Sequence, residues 1–86
     1  MDIKAAATAM RPFVKKVDWL ARLDFNVIAR GGDATSVAHL YEMIEAIESG
    51  EVSGEKAHRW LGWMQGVVCC RGGATLEEMK AVNLAA

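Results

Sequence analysis

Two adjacent cysteines, Cys69 and Cys70, and two histidines, His39 and His58, are the side chains here best suited to covalent or metal chemistry. Neighbouring helix positions point about 100° apart, which suits neither a disulfide nor a two-cysteine metal clip. The pair reads as free thiols of a reducing compartment. His58 lies about three helical turns before the cysteines, roughly 16–18 Å along the axis. That distance excludes a thiol–imidazole dyad within one helix, and only His39 can approach a cysteine from a different segment. Neither histidine has a ligand partner at i+4 or a carboxylate cluster beside it. The expectation is a non-enzyme, with no catalytic residue, no metal and no cofactor.

Two further groupings bear on binding. Gly31-Gly32 and Gly72-Gly73 follow Arg30 and Arg71, and each precedes a helix start. Backbone amides at a helix N-terminus, together with an arginine, can cradle an anion. Arg30 and Arg71 are therefore candidate ligands for a nucleotide-like molecule, although neither run matches a phosphate-loop motif and both serve equally as helix stops. The tryptophans form the other grouping. Trp60 falls on an apolar stripe, whereas Trp63 aligns with Arg59 near Gly66, and Trp19 shares a face with Lys15, Arg22 and Asn26. An exposed indole gains about 0.5–1 kcal/mol from a cation stacked on it, and tryptophan with arginine is the composition of binding hot spots. Trp63, Arg59, Trp19 and Arg22 are thus the candidate partner-binding residues. The competing reading is that helices cover both faces of these segments.

The elements that must position these residues are helical. Asp2 is placed to cap a short helix, Ile3 to Met10, after which Pro12 either kinks it or opens a new one. From Pro12 to about Arg30, Phe13, Val17, Leu20 and Val27 recur at helical spacing, with Leu23 and Ile28 beside them and Asp24 at the edge. Asp33 is the expected cap of the next helix, whose stripe is Val37, Leu40, Tyr41, Ile44 and Ile47. Gly50 closes it, and Ser53 is the expected cap of the helix that follows. Ala57, Trp60, Leu61, Met64, Val67 and Val68 supply the apolar face of that helix. Thr75-Leu76-Glu77-Glu78 predicts a capping box, with Ala74 and Met79 at the staple positions, and a last helix running to about Leu84.

Within the Glu55–Arg71 stretch, Gly62 and Gly66 stand four apart inside a helix, where each costs about 1 kcal/mol relative to alanine. They lie one above the other on a single face, a strip that His58 and Cys69 or Cys70 continue. The missing side chains admit a second helix, either of this chain or of an identical subunit. Three indoles are more apolar surface than a bundle of 86 residues readily hides. Self-association, most simply as a homodimer, is expected.

Composition narrows the partners. The chain is 52% hydrophobic and carries ten basic against eleven acidic residues, a net charge of −1. A dedicated duplex binder shows a basic excess, so a helix-turn-helix drawn from Asp33–Ser49 and Gly54–Arg71, presenting Lys56, His58 and Arg59, ranks behind a protein-binding role. The N-terminal stretch lacks the apolar core of a signal peptide, and no run approaches the ~20 apolar residues of a membrane span.

Arg59-Trp60-Leu61-Gly62, then Gln65-Gly66, then Thr75-Leu76-Glu77-Glu78-Met79-Lys80 and Asn83, resemble small accessory proteins of tailed bacteriophages and prophages. In these, an RWLGxxQG helix precedes TLEExKxxN. The resemblance covers the last third of the chain and brings no catalytic residue. It implies a protein of the host bacterial cytoplasm that binds a host factor or a defence component. The sequence therefore predicts one all-α domain over residues 1–86, a compact bundle of four to five helices that is homo-oligomeric and binds a host protein. A nucleotide-sequestering oligomer and a DNA-binding regulator are the alternatives.

Overall fold

Asp2 opens the first helix as its position predicts. Its carboxylate accepts hydrogen bonds from the amides of Lys4 (3.0 Å) and Ala5 (3.1 Å), satisfying two donors that a helix start leaves unpaired. The computed structural model of the chain describes residues 1–23 and 32–86, the side chains of residues 32–36 excepted. Among them are five helices and no strand. α1 (Ile3–Ala9) stops at Met10, and α2 (Arg11–Leu23) begins directly after it. Pro12 stands in the first turn of α2, where its missing N–H is harmless. The amides of Phe13 (3.1 Å) and Val14 (3.0 Å) both reach the Met10 carbonyl. Bend and new helix start are one event.

α3 (Gly32–Glu48) begins one residue before Asp33, which therefore sits inside the first turn rather than at the expected cap. The expectations for Asp24, Asn26, Val27, Ile28, Arg30 and Gly31 lie outside the described residues. α4 (Gly54–Cys70) follows Ser53, whose backbone is extended as a cap requires but whose hydroxyl makes no cap hydrogen bond. α4 ends in a Schellman turn. Gly72 has φ +78°, its amide reaches the Cys69 carbonyl (3.1 Å), and the Gly73 amide reaches Val68 (2.9 Å). Such a left-handed residue is nearly free of steric cost only as glycine. α5 (Leu76–Ala85) starts from the predicted capping box: Thr75 Oγ1 accepts from the Glu78 amide (3.1 Å), and the Glu78 carboxylate accepts from the Thr75 amide (2.9 Å).

The core assembles mainly on α3, which buries Val37, Leu40, Met43, Ile44 and Ile47. Against them pack Met10, Val14 and Val17 from the α1–α2 arm and Ala57, Leu61, Met64 and Val68 from α4. Two stripes differ from expectation. Met43 is buried where Tyr41 is only half-buried, and Leu23 is 65% exposed. Trp60 packs partly buried against the core, with Lys56 Nζ 5.2 Å from its ring centroid. The shortest principal extent is 16 Å, which accommodates two helix layers at the usual 8–10 Å separation. In a slab two helices thick, each helix keeps one face turned outward.

Polar ties fix the layers. Arg11 donates from Nε (3.1 Å) and Nη2 to the Glu48 carboxylate, and Thr8 Oγ1 donates to the same group (2.6 Å). The Arg11 and Thr8 hydrogen bonds hold the Glu48 carboxyl below its ordinary range, and the Glu48 hydrogen bond raises Arg11. On the other side, Gln65 Nε2 donates to Asn83 Oδ1 (2.8 Å) and Asn83 Nδ2 to Gln65 Oε1 (3.3 Å). This reciprocal amide pair ties α5 to α4, while α5 packs chiefly against α1.

Candidate functional site

α4 buries one face, and among the described residues the opposite one is uncovered. Its 3.6-residue period directs Ala57, Leu61, Met64 and Val68 inward, so Gly62 and Gly66 point away from the core. Among the described residues, nothing comes within 4 Å of a Cβ built on either glycine. No described helix of the chain occupies the strip, which removes the same-chain reading for those residues. His58 is exposed at its N-terminal end.

Beside the strip runs an open groove of about 670 Å³ between α3 and α4. His39 and Leu40 form one wall; Gly62, Trp63, Gly66 and Val67 form the other, with Cys70 and Arg71 at its end. Trp63 is 62% exposed. A groove of this size is in the range that binds ligands, and its lining is mostly apolar. The expected division of labour, glycines for a packing helix and Trp63 for a separate partner, does not match this geometry, because the indole and both glycines line one groove. Arg59 is exposed nearby but does not line it.

The second exposed indole, Trp19, is 59% exposed on α2. Arg22 does not stand over it as a free cation: its Nε lies 3.3 Å from both carboxylate oxygens of Asp18. The expected Trp–Arg pairs are therefore displaced. The cation–π contact of the described residues joins Lys56 to Trp60, the least exposed of the three indoles.

His39 and Cys70 share the groove, one from each helix, and His39 Nδ1 lies 3.9 Å from Glu42 of its own helix. No cluster of His, Cys, Asp or Glu suited to a metal ion occurs among the described residues. Arg71 caps α4 and lines the groove, whereas Arg30, its proposed counterpart, lies outside the described residues. Gly73, expected only as part of a helix stop, has a different role. A Cβ there would overlap Val17 Cγ2 and stand 3.0 Å from the Phe13 carbonyl and Val68 Cγ1. Glycine at this position lets the turn seat against α2.

Sequence reasoning missed the α3 wall of the groove, because His39 and Leu40 meet α4 only in space. The Gln65–Asn83 bond likewise joins two residues 18 apart in the chain that meet only in space. No helix among the described residues is long and apolar enough to cross a membrane. No protein-family model, curated protein or solved structure matches the chain.

Proposed function

We propose that this chain is a non-enzymatic accessory protein of the bacteriophage type. It binds and modulates a host bacterial protein by taking an apolar segment of that partner into the α3–α4 groove. The observation that carries this reading is the pair of helix-interior glycines, Gly62 and Gly66, beside an exposed Trp63, with open space above both among the described residues. Two such glycines together cost about 2 kcal/mol, a large share of the roughly 5–15 kcal/mol that holds a domain folded. No packing among the described residues offsets it. A partner segment laid against the strip does, because without Cβ atoms its backbone approaches closely while Trp63 and Val67 grip its flank.

Affinity capture from bacterial lysate tests the reading with three proteins: the native chain, a Trp63→Ala/Arg59→Ala double variant and Gly66→Leu. One host protein retained by the native chain and lost from both variants, at unchanged helical content, is the expected result. Equal retention by all three rejects it. A thermal-shift screen covers the anion-binding alternative, since Arg71 lines the same groove. A nucleotide at 100-fold its dissociation constant would add about 2.7 kcal/mol of stability, and such a shift would move the assignment to a small ligand.

A further inference from the structure

The net charge of −1 conceals a segregation. Residues 1–23 carry five cations, Lys4, Arg11, Lys15, Lys16 and Arg22, against Asp2 and Asp18, so the rest of the chain is acidic. The cations concentrate around one indole. The helix neighbours of Trp19 at i−4, i−3, i+3 and i+4 are Lys15, Lys16, Arg22 and Leu23, the four positions adjacent to it on an α-helix surface. All of them are exposed, Leu23 by 65% and the Arg22 side chain by 73%. The inward face of α2 is spent on Val14 and Val17, both buried, and among the described residues neither Trp19 nor Leu23 belongs to the core. An apolar pair rimmed by cations has the anatomy of a protein interface, with a desolvated centre and a charged edge that selects the partner.

From this arrangement we infer that the Trp19 face of α2 is a second docking surface, distinct from the α3–α4 groove, and that it takes an acidic segment of a partner protein. The segment supplies carboxylates to Lys15 and Lys16 and an apolar side chain to Trp19 and Leu23. Charge complementarity favours a short acidic segment over a polyanion. Electrostatic reach is about 8 Å at physiological salt, so a short segment meets chiefly the local cations. A nucleic acid would extend past them onto the acidic remainder of the chain. Asp18, bonded to Arg22 at the edge of the face, neutralises one of the three cations, which leaves Lys15 and Lys16 to meet the carboxylates of a short segment. A membrane surface is disfavoured as well: the broad apolar face that an interfacial helix inserts is here turned into the core.

Panning a displayed random-peptide library against the full chain at low salt tests the inference, followed by titration of the selected peptides against three variants. Lys15→Glu/Lys16→Glu and Trp19→Ala alter only exposed side chains, and circular dichroism verifies their fold. The expected result is peptides with an excess of Asp and Glu and at least one aliphatic or aromatic residue. Their affinity falls on the order of tenfold in each α2 variant and weakens with salt, but is unchanged in Gly66→Leu. That last control separates this face from the groove, so either can fail alone. Recovery of no peptide, of peptides without acidic excess, or of peptides that bind the α2 variants equally well overturns the inference. So does tight binding of a 20-nucleotide oligothymidylate or of phosphatidylserine vesicles that the Lys15→Glu/Lys16→Glu change abolishes. Concentration-dependent self-association lost in the same variant would assign the face to the acidic side of a second copy, and also overturns it.

Discussion

Trp19 and Trp63 are exposed to nearly the same degree, 59% and 62%, yet their surroundings differ in kind. One helical turn to either side of Trp19 stand Lys15, Lys16, Arg22 and Leu23. The same positions around Trp63 are Arg59, Trp60, Gly66 and Val67. The first indole stands on an exposed face rimmed by cations, and the second lines a mostly apolar groove with Arg71 at its end. If the two faces dock partners as proposed, equal exposure of one residue type calls for different ones. Charge and salt would govern the first surface, and shape and apolar area the second.

The two faces share one joint. Gly73 touches Val17 beneath the Trp19 helix and Val68 beneath the Trp63 helix. Gly73→Ala is expected to have the largest effect, about 1–3 kcal/mol of destabilisation from overpacking. It should appear in thermal melts as a loss common to both faces. A melt unchanged from native would mean that the turn does not couple α2 to α4.

Gly66→Ala should do the reverse. With helical backbone and open space above it, alanine is expected to add about 0.5–1 kcal/mol, raising Tm by roughly 4–8 °C per kcal/mol in a domain of this size. Binding at the groove should weaken at the same time. A fall in stability would show that the strip is covered.

Glu48→Gln touches only the α1–α2 side. Arg11 and Thr8 depress the Glu48 carboxyl, so their contribution is present above the unfolded carboxylate pKa of about 4.3. It is lost as pH falls through the lower folded value. The Arg11 and Glu48 side chains keep 40% and 25% of their surface in solvent, and screening limits the pair to about 0.5–1 kcal/mol. The native-minus-variant difference in denaturant unfolding should therefore be present at pH 7 and vanish in strong acid. A difference that persists in acid would assign it to packing instead.

Lys56→Gln, which removes the cation over Trp60, carries the smallest expected effect, about 0.5 kcal/mol. It should leave binding at either face unaltered. A binding defect there would make Trp60 part of the groove rather than of the core.

Much of the scaffold is legible locally. Asp2, the Thr75–Glu78 box and the Gly72 turn act where short-range chemistry places them, because a cap answers to the three or four residues next to it. Ser53 fails as a side-chain cap although its backbone is in place, which composition alone does not reveal. Leu23 falls beside the apolar spacing but is exposed, since periodicity marks a face without showing whether anything lies against it. Arg22 reads as a partner for Trp19 until its Asp18 neighbour, equally close on the helix, is weighed against the indole.

The sequence by itself determined where these helices run, how they end and which residues ring each indole, because those features depend on contacts within about one turn. Only the tertiary structure decided which faces stay open. Packing α3 against the α1–α2 arm, with α4 seated against α1, α2 and α3, buries Val17 and Val68 and, among the described residues, leaves Trp19, Gly62, Trp63 and Gly66 outward. Coverage is a relation between segments distant in the chain, and no local spacing encodes it.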